Sequence, residues 1–421
     1  MRKFLAAFLM AILALAGTTP VPAADAPGYG VTVGGRIRSD MGWQFLGEHN
    51  RFGNNSDSSI ANFFATVNTD SYLRATFSSA DKNTGAHIEL GLGGFTNRDN
   101  AGNAADNPVS LRIAYGWWKV ASCRLLVGQF PGRLGDRILP GNNLGNGKSG
   151  KSDLKGFGFI GGTRNPKVAL QMDVNDNFSF ELALGQAGAE VSSFGMYPGP
   201  VTGVSSTDSY LPRLELVLDF NFDNFLIAPS AGISYQKATL GDAFSAVDDN
   251  TLSYIFILPL KYQNGPFSLV FNAFYGQNTD TDWNGENGTS WATPPGGGGR
   301  FYGGQPGVLP VLSGNQVEDT KYWGLGLGLA YNFTDTLGVK VGGGLANISN
   351  DAWELAGVDS NDSYTRWGAF ISFPYKVSAN FTISPELAYF DYGSRVGVNL
   401  AGIDDDAGHE VLAGVHFQFL F

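Results

Sequence analysis

The residues of this 421-residue chain best suited to chemistry are its arginines and lysines, because of where they fall. Between Pro131 and Asn165 the segment PGRLGDRILPGNNLGNGKSGKSDLKGFGFIGGTRN carries Arg133, Arg137, Lys148, Lys151, Lys155 and Arg164 against only Asp136 and Asp153. Elsewhere Arg36, Arg38, Arg74 and Arg112 fall on the polar positions of alternating segments, with Asp40, Asp70 and Glu89 interspersed. A guanidinium keeps its charge under all ordinary conditions and meets a carboxylate or phosphate at two points. Charges arranged in this way filter ions by field and by transient pairing. Two readings of the same residues stand side by side: they favour anions in a water-filled passage, or they pair with nearby carboxylates and stiffen the segment.

Other chemistries find less support. Asp280, Asp282 and Asn284, followed by Gly285, have the spacing that opens an EF-hand calcium loop, but the twelfth position is Trp291 where a bidentate Glu belongs. This leaves a weak calcium candidate and no metal site. The four histidines, His49, His87, His409 and His416, are scattered, and neither GxSxG nor HExxH occurs. Gly296 to Gly299 lack the Lys and Ser/Thr of a phosphate loop. The expectation is a protein that is not an enzyme and carries no cofactor. The single cysteine, Cys123, allows no internal disulfide.

The ends set the compartment. Arg2 and Lys3 precede the apolar run Phe4 to Ala16, and small residues near Ala23 and Ala24 offer a cleavage site, so residues 1–24 read as a secretory signal peptide. Residues 25–421 then form a single domain. With Arg2 and Lys3 gone, the formal charge of -11 becomes -13, which disfavours nucleic acid as a partner. After the signal, no apolar run reaches the roughly 20 residues of a membrane helix. Hydrophobicity is diluted by alternation instead.

That alternation has period 2. In Val31 to Phe45 the apolar parity holds Val31, Val33, Ile37, Met41, Trp43 and Phe45, while Thr32, Arg36, Arg38, Asp40 and Gln44 take the other. The same dyad recurs at 62–77, 86–95, 110–120, 124–130, 166–173, 178–186, 210–220, 225–237, 251–262, 267–277, 318–331, 337–346, 363–375, 381–391 and 409–421, about sixteen strands in all. Short turns such as Asn221 to Asn224 follow every second strand, and long Gly- and Asn-rich loops follow the others. The fold class expected is all-β, a transmembrane antiparallel barrel with short periplasmic turns and long extracellular loops. Aromatics beside the short turns, Phe220 with Phe225, Tyr262 with Phe267, Tyr375 with Phe381, and Phe77, Phe178 and Tyr331, form a belt at one interface. The last strand joins it through Phe417, Phe419 and Phe421. Pro212, Pro229, Pro259, Pro374 and Pro385 lie inside these strands and should mark bulges or strand ends.

The signal peptide, the ending GVHFQFLF and the segment YGWWKVASCRLLVGQF (Tyr115 to Phe130) together resemble the sixteen-stranded general porins of Gram-negative outer membranes. The resemblance covers the whole mature chain. It implies a passive channel for small hydrophilic solutes and ions, a homotrimer, and a terminal Phe421 read by the barrel-insertion machinery. It also implies that the third loop, about 131–165, folds inward, placing Arg133, Asp136, Arg137, Lys148, Lys151 and Lys155 at a constriction opposite a wall of Arg36, Arg38, Asp70, Arg74 and Arg112. Acidic loop tips, including Asp404 to Asp406, fit contact with lipopolysaccharide through divalent cations, or a plain solvated face. Two alternatives remain open: a solute-specific anion channel for phosphate, sulfate or organic acids on the same scaffold, and a non-conducting structural or adhesive barrel.

Overall fold

A computed structural model describes residues 30–47, 59–68, 70–92, 109–135, 138–141, 144, 154–161, 164–185, 204–240, 248–279, 283, 311–313, 316–351, 363–394 and 408–421. Alternating sequence becomes strand almost throughout: β1 (Gly30–Leu46), β2 (Ile60–Val67), β3 (Tyr72–Ser78), β4 (Thr84–Gly91), β5 (Ser110–Val120), β6 (Cys123–Pro131) and β7 (Arg164–Asn175). There follow β8 (Phe178–Gly185), β9 (Val204–Phe222), β10 (Phe225–Ile227), β11 (Ser230–Leu240), β12 (Asp248–Asn264) and β13 (Phe267–Gln277). A separate small hairpin, β14 (Val311–Ser313) and β15 (Gln316–Glu318), precedes β16 (Lys321–Asn332) and β17 (Gly338–Ser349). The chain ends with β18 (Ser363–Ser372), β19 (Tyr375–Ser378), β20 (Phe381–Asp391) and β21 (His409–Leu420).

Three pairs are halves of single strands. β2 and β3 both pair with β1, β10 and β11 both pair with β9 and β12, and β18 and β19 both pair with β20. Counted so, sixteen antiparallel strands close on themselves, because β21 pairs with β1 from Arg36↔Leu420 to Leu46↔Glu410. A closed barrel satisfies every backbone group without an edge, which is what lipid demands. Gly35 and Phe421 complete the seam: the Gly35 amide donates to the Phe421 carbonyl at 2.8 Å, and the Phe421 amide returns the bond at 3.2 Å.

Seam geometry leaves no room at Gly42, which faces Gly414. A Cβ there would lie 2.4 Å from the Ala413 carbonyl oxygen and 2.6 Å from the Gly414 Cα. Gly42→Val is therefore expected to lower the fraction of chain that migrates as a compact, heat-modifiable band on electrophoresis. An unchanged fraction would show that the seam has slack.

The prolines fall where the ladder is already interrupted. Pro212 sits at a register shift between β9 and β11. Pro229 lies in the gap between β10 and β11, and Pro259 of β12 faces that gap. Pro374 lies between β18 and β19, with Pro385 of β20 opposite. A missing N–H is harmless where no acceptor stands across from it.

Burial fixes which face is which. In β16 Trp323, Leu325 and Leu327 are exposed, while Tyr322, Gly324, Gly326 and Gly328 between them are buried and turn inward. At the short-turn rim the outward aromatics meet in groups, by ring-centroid distance: Phe178 with Phe220 at 5.0 Å, Phe225 with Tyr262 at 6.4 Å, Tyr262 with Phe267 at 6.2 Å, and Phe381 stacked on Phe419 at 4.2 Å. A second girdle rings the long-loop side through Trp43 with Phe63, Tyr254 with Tyr275, and Trp367 with Tyr389. Two aromatic girdles around an apolar outer band are the mark of a barrel lodged in a bilayer. At the β3–β4 turn, the Ser79 hydroxyl and the Asn83 amide bind Asp81 and hold its carboxyl below the ordinary value.

Candidate functional site

Inward-facing polar residues of neighbouring strands meet in three clusters. The first gathers around Asp70, in the short interruption between β2 and β3. Its Oδ1 lies 3.1 Å from Arg112 Nη2 and 3.6 Å from Arg164 Nη2, and its Oδ2 lies 3.3 Å from Arg38 Nη1 and 4.0 Å from Arg36 Nη2. Glu89 reaches Arg112 Nε at 3.3 Å. The Tyr72 ring lies under Arg36 and Arg112, at 4.9 and 5.4 Å, where its face attracts the cations. Arg74, directly across from Glu89 in the ladder, is exposed, and Arg164 is 41% exposed. Four guanidiniums, those of Arg36, Arg38, Arg112 and Arg164, thus share two carboxylates here, with Arg74 a ladder neighbour of Glu89. Of the expected wall, Arg36, Arg38 and Arg112 meet at Asp70, and Arg74 lies beside them across from Glu89.

A second cluster joins the root of the third loop to the wall. Arg133 bonds Asp219 at 3.1 Å and approaches Glu181 at 3.8 Å, and Gln171 donates to Glu181 at 2.6 Å. Beside it Glu215 lies 3.0 Å from Arg213 and 3.6 Å from Lys167. None of Lys167, Glu181, Arg213, Glu215 and Asp219 stands out from the sequence alone. The signal that could find them is charge on the inward parity of three adjacent strands, β7, β8 and β9. The third cluster lies at the seam, where Asp40 meets His416 at 2.6 Å and Glu410 accepts from Gln44 at 2.6 Å and Tyr392 at 2.7 Å.

Where the third loop docks, the opposite wall carries a set of apolar side chains on its inner face, contrary to simple polar-in alternation. Ile255, Ile257, Phe274, Ala346 and Ile348 pack with Leu134 and Ile160 of the third loop. Leu154, Phe157 and Phe159 pack with Phe370, Phe390 and Tyr392. The loop reaches this wall because β16 and β17 present glycines inward: a Cβ on Gly326 would meet the Phe159 ring at 2.2 Å, and one on Gly344 would meet the Phe157 carbonyl oxygen at 2.2 Å. Asn272 donates to the Gly158 carbonyl at 3.2 Å, and Arg366 lies 5.3 Å above the Phe157 ring. Residues 154–160 therefore dock on the inner face of the far wall.

Of the third-loop residues expected at a constriction, Arg133 is ion-paired at the loop root, and Lys155 lies against Gly161 within the loop. Asp136, Arg137, Lys148, Lys151 and Asp153 lie outside the described residues, as do residues 1–29 and the calcium candidate Asp280, Asp282 and Asn284. Among the described residues no His, Cys, Asp and Glu group could hold a metal ion.

No family model matches the sequence, and no curated protein matches it. Solved structures do match the fold. An outer membrane channel, DcaP of Acinetobacter baumannii, superposes with a TM-score of 0.64 at 16% identity, covering 94% of this chain and 98% of that one. An anion-selective porin from Comamonas acidovorans gives 0.54 at 12% identity, with 94% and 100% covered. OmpT, an outer membrane protein of Vibrio cholerae in its trimer form, gives 0.53 at 10% identity, with 94% and 100% covered. The fold is that of the outer-membrane porins, a transmembrane barrel of sixteen strands.

Proposed function

We propose that the chain is a diffusion porin of the bacterial outer membrane, exported by its signal peptide, that passes small hydrophilic solutes with a preference for anions. The observation that carries this reading is the excess of guanidiniums on the inner wall around Asp70, with Arg74 and Arg164 exposed. A lumen lined by fixed positive charge concentrates anions and repels cations. The likeness to an anion-selective porin supports the same sign. The apolar outer band meets lipid, and lipopolysaccharide surrounds the loop side. A homotrimer is proposed, in keeping with the trimeric form of one structural neighbour, with Phe417, Phe419 and Phe421 presented to the insertion machinery before closure. The protein is read as a channel and not an enzyme.

Reversal potential across a planar bilayer under a KCl gradient tests this. Large ohmic steps, in threes for a trimer, with a chloride preference are expected. Arg133→Glu should move the potential toward cations, because it adds a third carboxylate beside Glu181 and Asp219. Absence of any current would overturn the channel reading in favour of a structural barrel.

A further inference from the structure

The interruption between β2 and β3 needs an explanation, since it breaks a ladder in a closed sheet and holds no proline. Its described residues, Asn68, Asp70 and Ser71, are tightly tied. Ser71 Oγ accepts from the Arg38 amide and donates to the Arg38 carbonyl, Asn68 Oδ1 accepts from the Asp70 amide at 2.8 Å, and Asn68 Nδ2 donates to Asp40 at 3.2 Å. Arg36 Nε and Nη2 donate to the Asp70 carbonyl at 3.3 and 3.2 Å. All of this aims one carboxylate into the middle of four guanidiniums, with cations against both of its oxygens. Arg112 is 8% exposed, and its Nη1 is buried without a hydrogen-bond partner. Donor capacity is left over around a seat shaped for a carboxylate.

We infer that Asp70 is a built-in competitor: it occupies a carboxylate-binding seat formed by Arg36, Arg38, Arg112 and Arg164, and so keeps permeating carboxylates weakly bound and fast. This rests on the anion-passing reading above and names the solute class that feels the site. Conduction requires binding firm enough to admit an ion and weak enough to release it. Four guanidiniums with an empty seat would hold a carboxylate at two or more points and slow its exit. A tethered carboxylate at high local concentration prevents that.

The experiment compares succinate block of KCl current in the natural protein, Asp70→Ser, and the double variant Asp70→Ser with Arg38→Gln. Serine suits the turn, and the double variant keeps the local net charge while leaving three guanidiniums around the vacated seat. Both variants should show saturating block at a succinate concentration at least about tenfold lower than the natural protein, as expected for one extra charge-assisted contact. A shifted reversal potential without new block in either variant would mean that Asp70 acts through the overall field alone, and would overturn the inference. Calorimetric titration of succinate into the detergent-solubilised proteins gives a readout independent of current. If the natural protein carries no current, the porin reading fails on that result, and the titration alone decides the seat: no gain in affinity in either variant overturns it.

Discussion

Replacing Phe157 and Phe159 together by alanine is expected to free residues 154–160 from the far wall while leaving the barrel closed. Both rings are fully buried, Phe157 between Phe390 and Tyr392 at 5.1 and 5.8 Å, Phe159 over Gly326. A buried Phe→Ala change costs about 3–5 kcal/mol. Two such losses in one short segment outweigh a single neutral hydrogen bond such as that of Asn272 to the Gly158 carbonyl, which is worth about 1 kcal/mol net, and leave Leu154 and Ile160 as its apolar anchors. The sheet itself should survive, because its ladder does not run through the loop. The expected readouts are a retained heat-modifiable band, tryptic cleavage after Lys155, and larger, noisier single-channel steps. Unchanged conductance with Lys155 still protected would mean that other contacts fix the loop, such as the Leu144 amide on Glu386 at 2.9 Å.

Glu215→Gln should produce the second large effect, this time on the barrel. Lys167 and Arg213 have fully buried side chains, and Glu215 faces both. Removing one partner from a buried charge cluster costs about 3–5 kcal/mol, because the cations left behind have given up their water. The loop root lies directly above: a Cβ on Gly132 would be 2.7 Å from Lys167 Nζ and 3.0 Å from Glu215 Oε2. The urea midpoint for unfolding should fall markedly in Glu215→Gln and hardly at all in Arg74→Gln, where the arginine is exposed. Equal midpoints for Glu215→Gln and the natural protein would show that water reaches the cluster.

The barrel was legible because its signals are local and repeated. Period-2 alternation, the short and long rhythm of connections, and paired aromatics such as Tyr262 with Phe267 all survive in one dimension, and each is present in the fold. The gap at 68–71 was not legible, since Ile60–Val67 and Tyr72–Ser78 read as one run. Nor was the upper girdle, whose residues, Trp43, Tyr254 and Trp367 among them, sit beside loops of variable length rather than at a fixed distance from a turn. The inner face misled most. Ile255 and Ile257 occupy inward positions that alternation assigns to polar residues, because their partners Leu134 and Ile160 come from a loop. Strand periodicity carries no record of what a loop will cover. For the same reason Arg36, Arg38 and Arg112 could be read as charges on the polar parity of their strands, while their convergence on Asp70 depends on register between strands that are distant in sequence.

The two proline gaps have a bearing on how the molecule meets its own copies. Each proline lacks a donor, yet each proline carbonyl is used: Pro229 accepts from Leu218 at 3.0 Å, Pro259 from Ala228 at 3.0 Å, Pro374 from Gly338 at 3.1 Å and Pro385 from Phe373 at 2.9 Å. A sheet invites a stray strand only where donors and acceptors both stand open in a row. These gaps offer neither, so the places that look most broken in the chain give a passing unfolded neighbour nothing to zip onto.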